Sequence, residues 1–435
     1  MTDAHPERRE DLPAGSESAA RSTVRSTADA ASEDGETPPL RVALVEVLGG
    51  SGGLAAYGIN LGTALAARHA EVTLYTGSVP AVLEAGPGLA LKEYFAGVYR
   101  GRSRLLKAAR YLAALLRTLA HAHRRGAALA HFHFFDASPL EWVTVVLARG
   151  FGLRTVVTAH DVESLAAPGR GTCLRAIYRV VDRAVVHSEV ARNELAARLE
   201  RGRPPIAVIP LGHFAPAVEA GPGIRDARAH LGIADAQPVL LFFGQIKRVK
   251  GLEVLLAALP ELVRVFPRLR LVIAGRPWKT DFSVYAEMIR TLGLEENVLA
   301  RIGYVPEEEV RTYFAAADLV VLPYRKIYQS AVLSVALSHR RPVLVSDIPG
   351  MTEVIRDGVN GFVFADGDPA SLARRLREVL ADPARMAEVA AEGYRWIRGT
   401  QDWEKVGEAT LRVYRAAVAR EGRRGRRESG PPPAG

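Results

Sequence analysis

One cysteine, Cys173, occurs in 435 residues. With no second thiol, neither a disulfide framework nor a cysteine-built metal site can form within the chain, and a reducing compartment is the simple inference. Cys173 itself reads as a small buried apolar residue. Long apolar runs are also missing: none approaches the ~18–20 residues that a membrane span needs. No secretory leader shows either. The first forty residues are polar, with nine acidic against four basic side chains, and residues 1–40 read as a disordered lead. Residues 421–435 read as a disordered basic tail. No G-x-G-x-x-G spacing follows the first strand and no suitable acid follows the second, which disfavours an NAD-dependent dehydrogenase. Apolar residues are plentiful, at 48%, enough for a sizeable core in two or three domains. So is positive charge: the net value is +9, which favours anionic partners.

From Arg41 onward, strand and helix patterns alternate. Strands are expected at 41–48, 71–77, 128–135, 154–160, 183–188 and 205–212, and a helix at 54–69. A stretch rich in Gly, Pro and Ala follows at 213–225. The alternation then restarts, with strands at 239–243, 269–274, 298–303, 318–322, 341–346 and 361–364. Apolar strands divided by helices predict parallel, doubly wound sheets covered on both faces. The fold class is therefore α/β, with two Rossmann-like domains at 41–212 and 226–400 joined by a linker at 213–225. A final helix at 401–420 is expected to pack back on the first domain.

The chemistry concentrates at strand ends. In PVLLFFGQIKRVKG, residues 238–251, an apolar strand ends at Gly244, and Lys247, Arg248 and Lys250 crowd in before Gly251 opens a helix. Such a strand delivers positive charge to the carboxyl edge of a sheet, where open α/β sheets bind ligands. Further on, DLVVLPY (318–324) is a second buried strand, and Ser330 begins the helical run SAVLSVAL. The amides of Ser330, Ala331, Val332 and Leu333 would be free at that helix start, and the Ser330 hydroxyl can cap the helix or donate to a phosphate. Cations and amides together predict a pocket for a phosphorylated ligand, a diphosphate in particular. In the first half, GGSGG (49–53) directly follows a strand, and glycine lets the backbone approach a ligand closely. TVVTAHDVES places His160 and Asp161 at another strand end. Imidazole there can bond a sugar hydroxyl or a phosphate, or assist proton transfer, and a histidine that only caps the strand is the plainer alternative. His131 and His133 share one strand face and read as packing residues. No acidic metal cluster is evident, so neither a metal nor another cofactor is expected.

Residues 100–125 carry Arg100, Arg102, Arg104, Lys107, Arg110, Arg117, Arg124 and Arg125 with no acidic residue among them. Leu105, Ala109, Leu112, Leu116 and Leu119 fall on one helical stripe, with Lys107, Arg110, Arg117 and Arg124 opposite. Peripheral contact with an anionic membrane, or with an anionic acceptor, is one reading. The wet face of a core-packed helix is the other. Nucleic acid is not expected, because no aromatic platform is interleaved.

FFGQIKRVKGLEVLLAAL resembles the Gly-Arg-x-x-x-x-Lys-Gly phosphate motif of the family 4 glycosyltransferases, retaining and nucleotide-sugar-dependent enzymes of the GT-B fold. RIGYVPEEEVRTYFAAADLVVLPY and RPVLVSDIPGMTEVIRDGVNGFVF are similar to the segments before and after that family's donor site. GGSGG, TAHD, the VVHS strand and VIPLGH match more loosely. The resemblance covers roughly residues 41–415 and is strong from 238 to 380. It implies two Rossmann-like domains facing each other across a cleft, with the nucleotide-sugar donor on the second. By position it implies that Lys250 holds the donor diphosphate, with Lys247 and Arg248 beside it, and that the amides of Ser330, Ala331, Val332 and Leu333 bind the same group. It places His160 near the transferred sugar, Gly52 and Gly53 in the loop facing donor phosphate and acceptor, and Tyr304 and Val305 along the base. Gln329 and Glu353 are candidate sugar contacts. The sequence also departs from the family. The two glutamates that the family spaces eight apart fall at Ile327 and Val335, and the arginine paired with the lysine is Gln245.

The expected activity is transfer of a sugar from a nucleoside diphosphate sugar to an acceptor hydroxyl with retention, with His160 and Lys250 as the catalytic pair. The acceptor would be a glycan, a lipid-linked molecule or a small molecule. A cytoplasmic place is expected, with the inner membrane face as a site of peripheral contact. A non-catalytic sugar-nucleotide-binding partner of an active transferase and a sugar-nucleotide epimerase are the alternatives. Turnover with an acceptor separates transfer from binding alone, and epimer formation from donor alone marks the third.

Overall fold

The computed structural model describes residues 38–49, 53–79, 83–162, 171–199, 204–214, 223–233, 238–279 and 281–419. The first half runs β1 (Leu40–Glu46), α1 (Gly53–Ala66), β2 (Ala70–Thr76), β3 (Leu89–Lys92), α2 (Arg104–Arg124), β4 (Leu129–Phe134), α3 (Pro139–Gly150), β5 (Arg154–Ala159), α4 (Gly171–Val180), β6 (Arg183–Val186), α5 (Glu189–Leu199) and β7 (Ile206–Val208). Among the described residues its strands form one parallel sheet in the order β3-β2-β1-β4-β5-β6-β7.

The second half begins with α6 (Ile224–Leu231), β8 (Val239–Phe243), a 3-10 turn (Arg248–Lys250), α7 (Leu252–Val265), β9 (Arg270–Gly275), α8 (Ser283–Thr291) and β10 (Val298–Ile302). It continues with α9 (Glu307–Ala316), β11 (Leu319–Leu322), α10 (Ala331–Ser338), β12 (Val343–Ser346), α11 (Pro349–Thr352), β13 (Phe362–Phe364), α12 (Pro369–Leu380), α13 (Pro383–Thr400) and α14 (Trp403–Val418). Its sheet is also parallel, in the order β10-β9-β8-β11-β12-β13.

Both sheets are therefore doubly wound, and the side chains show why. In β8, Leu240 and Phe242 enter the core on one face of the sheet, while Val239 and Leu241 enter the core on the other. In β1, Ala43 and Val45 pack on one side and Val42 and Leu44 on the other. Strands covered on both faces by helices need apolar residues on both sides, which Val239–Phe242 in β8 and Val42–Val45 in β1 supply. The strand order reverses between β1 and β4 in the first sheet and between β8 and β11 in the second. Crevices for ligands open at the carboxyl ends of strands at such reversals.

Three details differ from the sequence reading. Strand β3 was not expected, because an edge strand with one buried residue, Leu89, leaves no apolar run to read. Helix α6 starts at Ile224 with Gly223 as its cap, so it takes over the end of the expected linker, while 215–222 lie outside the described residues. The lead and the tail lie outside them too, apart from 38–40. Helix α2 buries Tyr111, Ala114, Leu115, Thr118, Leu119 and Ala122. Of the expected stripe, Leu119 is buried and Leu112 half-buried, while Leu105, Ala109 and Leu116 are exposed.

The two halves are tied in several places. Helix α14 leaves the second half and lies on α1, β4 and β5, adding Val406, Leu411, Tyr414 and Ala417 to the core of the first sheet. From the segment after β11, Tyr328 is buried in the other core of the first half.

Candidate active site

The carboxyl end of β8 is shaped by glycines. Gly244 has φ 93°, and Gly251, which ends the 3-10 turn, has φ 64°. Such backbone is strained for any residue with a Cβ. A Cβ on Gly251 would also stand 1.9 Å from the Pro323 carbonyl oxygen. The chain can therefore turn sharply after β8 and bring Lys250 back over the strand end. A Cβ on Gly244 would lie 3.2 Å from Lys250 Nζ and 3.1 Å from Val332 Cγ2. The ammonium and the start of α10 thus converge on one point, above a glycine that leaves the space open.

Replacing Gly251 by Ala should destabilise the protein by about 3 kcal/mol, from about 1–2 for left-handed backbone and about 1–3 for overpacking. Gly293→Ala is the matched control, since Gly293 has φ 65° with nothing within 4 Å of its would-be Cβ. Urea unfolding midpoints of the two variants check this, and equal losses would show that the Pro323 clash costs nothing.

Lys250 is only 9% exposed. Burial pushes its pKa down to about 8, because a low-dielectric site disfavours the charged form. Its Nζ sits 5.0 Å from the Tyr324 ring centroid, and among the described residues no carboxylate pairs with it. At α10, the Ser330 hydroxyl accepts from the Leu333 amide at 3.2 Å, so Leu333 is spent on the cap. The amides of Ala331 and Val332 have no protein acceptor among the described residues and carry the positive end of the helix dipole. Lys247 is half-buried, and its pKa is lowered mainly by burial, while Asp161 opposes that shift. Burial in turn raises Asp161 to about 6, with Lys247 pulling it down. These two charges face each other between the halves. Arg248 is exposed.

On the opposite side, His160 follows β5 and is buried. Its ring stacks on Phe135 at 4.3 Å. The Gln329 amide lies 3.2 Å from the His160 carbonyl oxygen and 3.3 Å from its Nδ1. A carbonyl only accepts, so the Gln329 group facing it is the NH2, and Nδ1 of His160 accepts as well. His160 therefore carries its proton on Nε2 and donates to His133 Nδ1 at 3.0 Å. His133 must then be protonated on Nε2, which is a buried donor with no partner. His187 completes the cluster: Nδ1 donates to the Ile209 carbonyl at 2.8 Å, leaving Nε2 buried and unpaired. His131 bonds Tyr414 and Thr158, each at 2.7 Å. Burial holds His131 down to about 3 and His187 to about 4. It holds His133 and His160 well below the usual imidazole value, with neighbouring histidines adding to the effect.

Gln329 immediately precedes Ser330, so the histidine of the first half and the amides of the second meet at one place. Other residues singled out from the sequence lie elsewhere. Glu353 accepts from the amides of Glu189 and Val190 at 2.7 and 3.2 Å. Both its oxygens are thus spent on the start of α5 in the other half, and the sugar contact anticipated for it is not what its geometry provides. Tyr304 is exposed beyond β10, and Val305 packs partly against the second-half core. Gly53 is the first residue of α1, where a Cβ would stand 3.4 Å from Phe214, and Gly52 lies outside the described residues. Three residues went unread as parts of the site. Glu46, at the end of β1, is buried, with its pKa raised by that burial to about 6. His187 sits at the end of β6, and Tyr57 is ringed by His133, His160, His187 and Trp403 at 5.3–5.6 Å. The recurrence of histidine at successive strand ends was the available signal.

Comparisons with known proteins bear on both halves. The profile described as "Glycosyltransferase Family 4" matches residues 51–213, and that described as "Glycosyl transferases group 1" matches residues 223–396. A D-inositol 3-phosphate glycosyltransferase of Kineococcus radiotolerans is 30% identical over 404 residues, covering 85% of this chain and 92% of that protein. One from Nocardia farcinica is 28% identical, covering 90% and 92%. Among solved structures, the sucrose-phosphate synthase of Thermosynechococcus elongatus superposes with TM-score 0.68 at 22% identity, over 86% of this chain and 98% of that one. Anabaena HepE in complex with UDP-glucose gives 0.68 at 18%, over 86% and 99%.

Proposed function

Because the chain belongs to the family 4 glycosyltransferases, we propose that it transfers a sugar from a nucleoside diphosphate sugar, with retention, to an acceptor hydroxyl entering from the side of the first sheet. One observation carries the reading: Lys250, a buried cation with no counter-ion among the described residues, meets the start of α10 above Gly244. A site built this way is complete only with an anion in it. HepE, a neighbour in fold, binds UDP-glucose, and a uridine diphosphate sugar is the first donor to try.

The chemistry follows from the charges. The bond between the sugar C1 and the phosphate oxygen breaks, and negative charge gathers on the departing diphosphate. Lys250 and the amides of Ala331 and Val332 stabilise that charge most in the transition state. The acceptor oxygen bonds C1 from the same face, and its proton passes to the departing phosphate oxygen. Positive side chains and amides then serve where a divalent ion otherwise would. Both ring nitrogens of His160 are engaged in the structure. Sugar binding therefore draws Gln329 away from His160, and the freed amide and imidazole bond sugar hydroxyls. Gln329 thus stands near the position where the family's first glutamate is replaced by Ile327.

The test is a panel of nucleoside diphosphate sugars against the full chain. A true donor at 100 times its Kd should add about 2.7 kcal/mol of stability, seen as a rise in thermal midpoint. With an acceptor present it should release the nucleoside diphosphate, and the product's anomeric configuration, read by NMR, should match the donor's. No thermal shift with any member of the panel would refute the donor reading, and an inverted product would refute retention.

A further inference from the structure

We propose that the outer face of α2 and the turn before it dock the first half on an anionic phospholipid bilayer. The helix has two apolar faces and only one is used by the core. Tyr111, Ala114, Leu115, Leu119 and Ala122 point inward. Leu105 is 84% exposed, Leu106 48% and Leu116 44%, and Tyr99 just before the helix is 50% exposed. At 100° per residue, Leu105, Ala109 and Leu116 fall within a single narrow stripe. Helix α3, joined to α2 by the Tyr111–Thr144 hydroxyl bond of 2.8 Å, carries exposed Trp142 and Val146 of its own.

Charge identifies the partner. Eight Lys and Arg residues lie between 100 and 125, and no Asp or Glu occurs from Tyr94 to Phe135. None of the eight forms an ion pair among the described residues. Exposed arginines elsewhere do: Arg290 with Glu287, Arg385 with Glu388 and Arg395 with Glu392. Aliphatic side chains that project outward, Tyr99 just before them and unneutralised cations match an anionic lipid interface. A nucleic acid would use the cations and leave the leucines without a role. Among the described residues no helix is long and apolar enough to cross a membrane, so the contact is with the surface.

The position of the patch gives the docking a purpose. Helix α2 runs antiparallel to the strands, so its first turn lies at their carboxyl edge, the edge that carries His160. Tyr99 is close enough to Glu46, at the end of β1, to feel its charge. Docking therefore sets the mouth of the cleft against the lipid headgroups, where an acceptor held in the bilayer is within reach. That last step rests on the transfer reading, whereas the docking does not.

The experiment is co-sedimentation of the full chain with phosphatidylcholine vesicles, with and without about 30% phosphatidylglycerol. The chain should bind the anionic vesicles and be released by salt. Leu105→Ser with Leu106→Ser should weaken binding about tenfold or more, and Arg102→Glu with Arg104→Glu likewise. Both pairs are exposed, so thermal midpoints and vesicle-free turnover should stay as in the parent. Equal binding to both vesicle types, or unchanged binding of either double variant, overturns the proposal. So does a leucine variant that turns a dimer into a monomer in light scattering and still binds vesicles, since the face would then belong to a second copy. Tighter binding of tRNA than of anionic vesicles through the same arginines would also overturn it. Loss of vesicle binding with donor turnover intact keeps the outcome separate from that of the transfer reading.

Discussion

Lys250→Met should lower kcat/KM by about 10²-fold or more, which is about 2.7 kcal/mol of transition-state stabilisation, and should make the folded protein more stable. The two effects share one cause. In the resting protein the ammonium is buried without a partner among the described residues, and its pKa falls from 10.5 to about 8. A base whose folded pKa lies below its unfolded value costs stability. That cost is fully present below about pH 8 and fades as pH rises towards 10.5. Over a shift of this size it is roughly 3 kcal/mol. Methionine keeps the stem and removes the charge. Urea unfolding together with steady-state kinetics checks both halves of the prediction. A folded variant with unchanged turnover would remove Lys250 from the reaction. In the parent, nucleoside diphosphate affinity should also weaken as pH rises through about 8, where the ammonium loses its proton before the ligand arrives.

The first half should come apart readily in mild acid. His131 and His187 are buried neutral, with pKa values of about 3 and about 4 against an unfolded value of 6.5. The unfolded chain therefore takes up protons that the folded one refuses. Stability is full above about pH 6.5 and is lost as pH falls towards the folded values. Each such histidine contributes a slope of about 1.4 kcal/mol per pH unit. Between about pH 7.5 and pH 5.5 these two alone should cost about 3 kcal/mol, and His133 and His160 add to it. Urea denaturation followed by circular dichroism at the two pH values measures the loss. A stability that stays flat over that interval would mean that the cluster admits protons or water while folded.

Much of this architecture could be read from the chain because its determinants are local. An apolar run as short as Val239–Phe243, set between Pro238 and Gly244, reads as a strand covered on both sides, and the lysines after it mark the carboxyl edge of the sheet. Ser330 before a helical run announces a cap, and the cap is there. What stayed hidden depends on partners far apart in sequence. Gln329 meets His160 across 169 positions, and Glu353 meets Glu189 across 164. No periodicity or spacing encodes such a pairing. The proton positions in the histidine cluster follow from a single carbonyl that faces Gln329, which only three-dimensional geometry reveals. In α2 the failure was of another kind. The apolar stripe was visible, but a helix with two apolar faces does not tell from its sequence which one meets the core.

The last helix has a bearing on how the chain matures. Residues 403–418 close one side of a sheet whose strands were made hundreds of residues earlier, and Tyr414 reaches back across 283 positions to His131. During synthesis the amino-terminal sheet must wait on the ribosome with α1 over β1 and β2 but with β4 and β5 uncovered by α14 on that side. Only a segment made long after those strands can seal it, so truncation near residue 402 would leave an exposed oily wall rather than a smaller working enzyme.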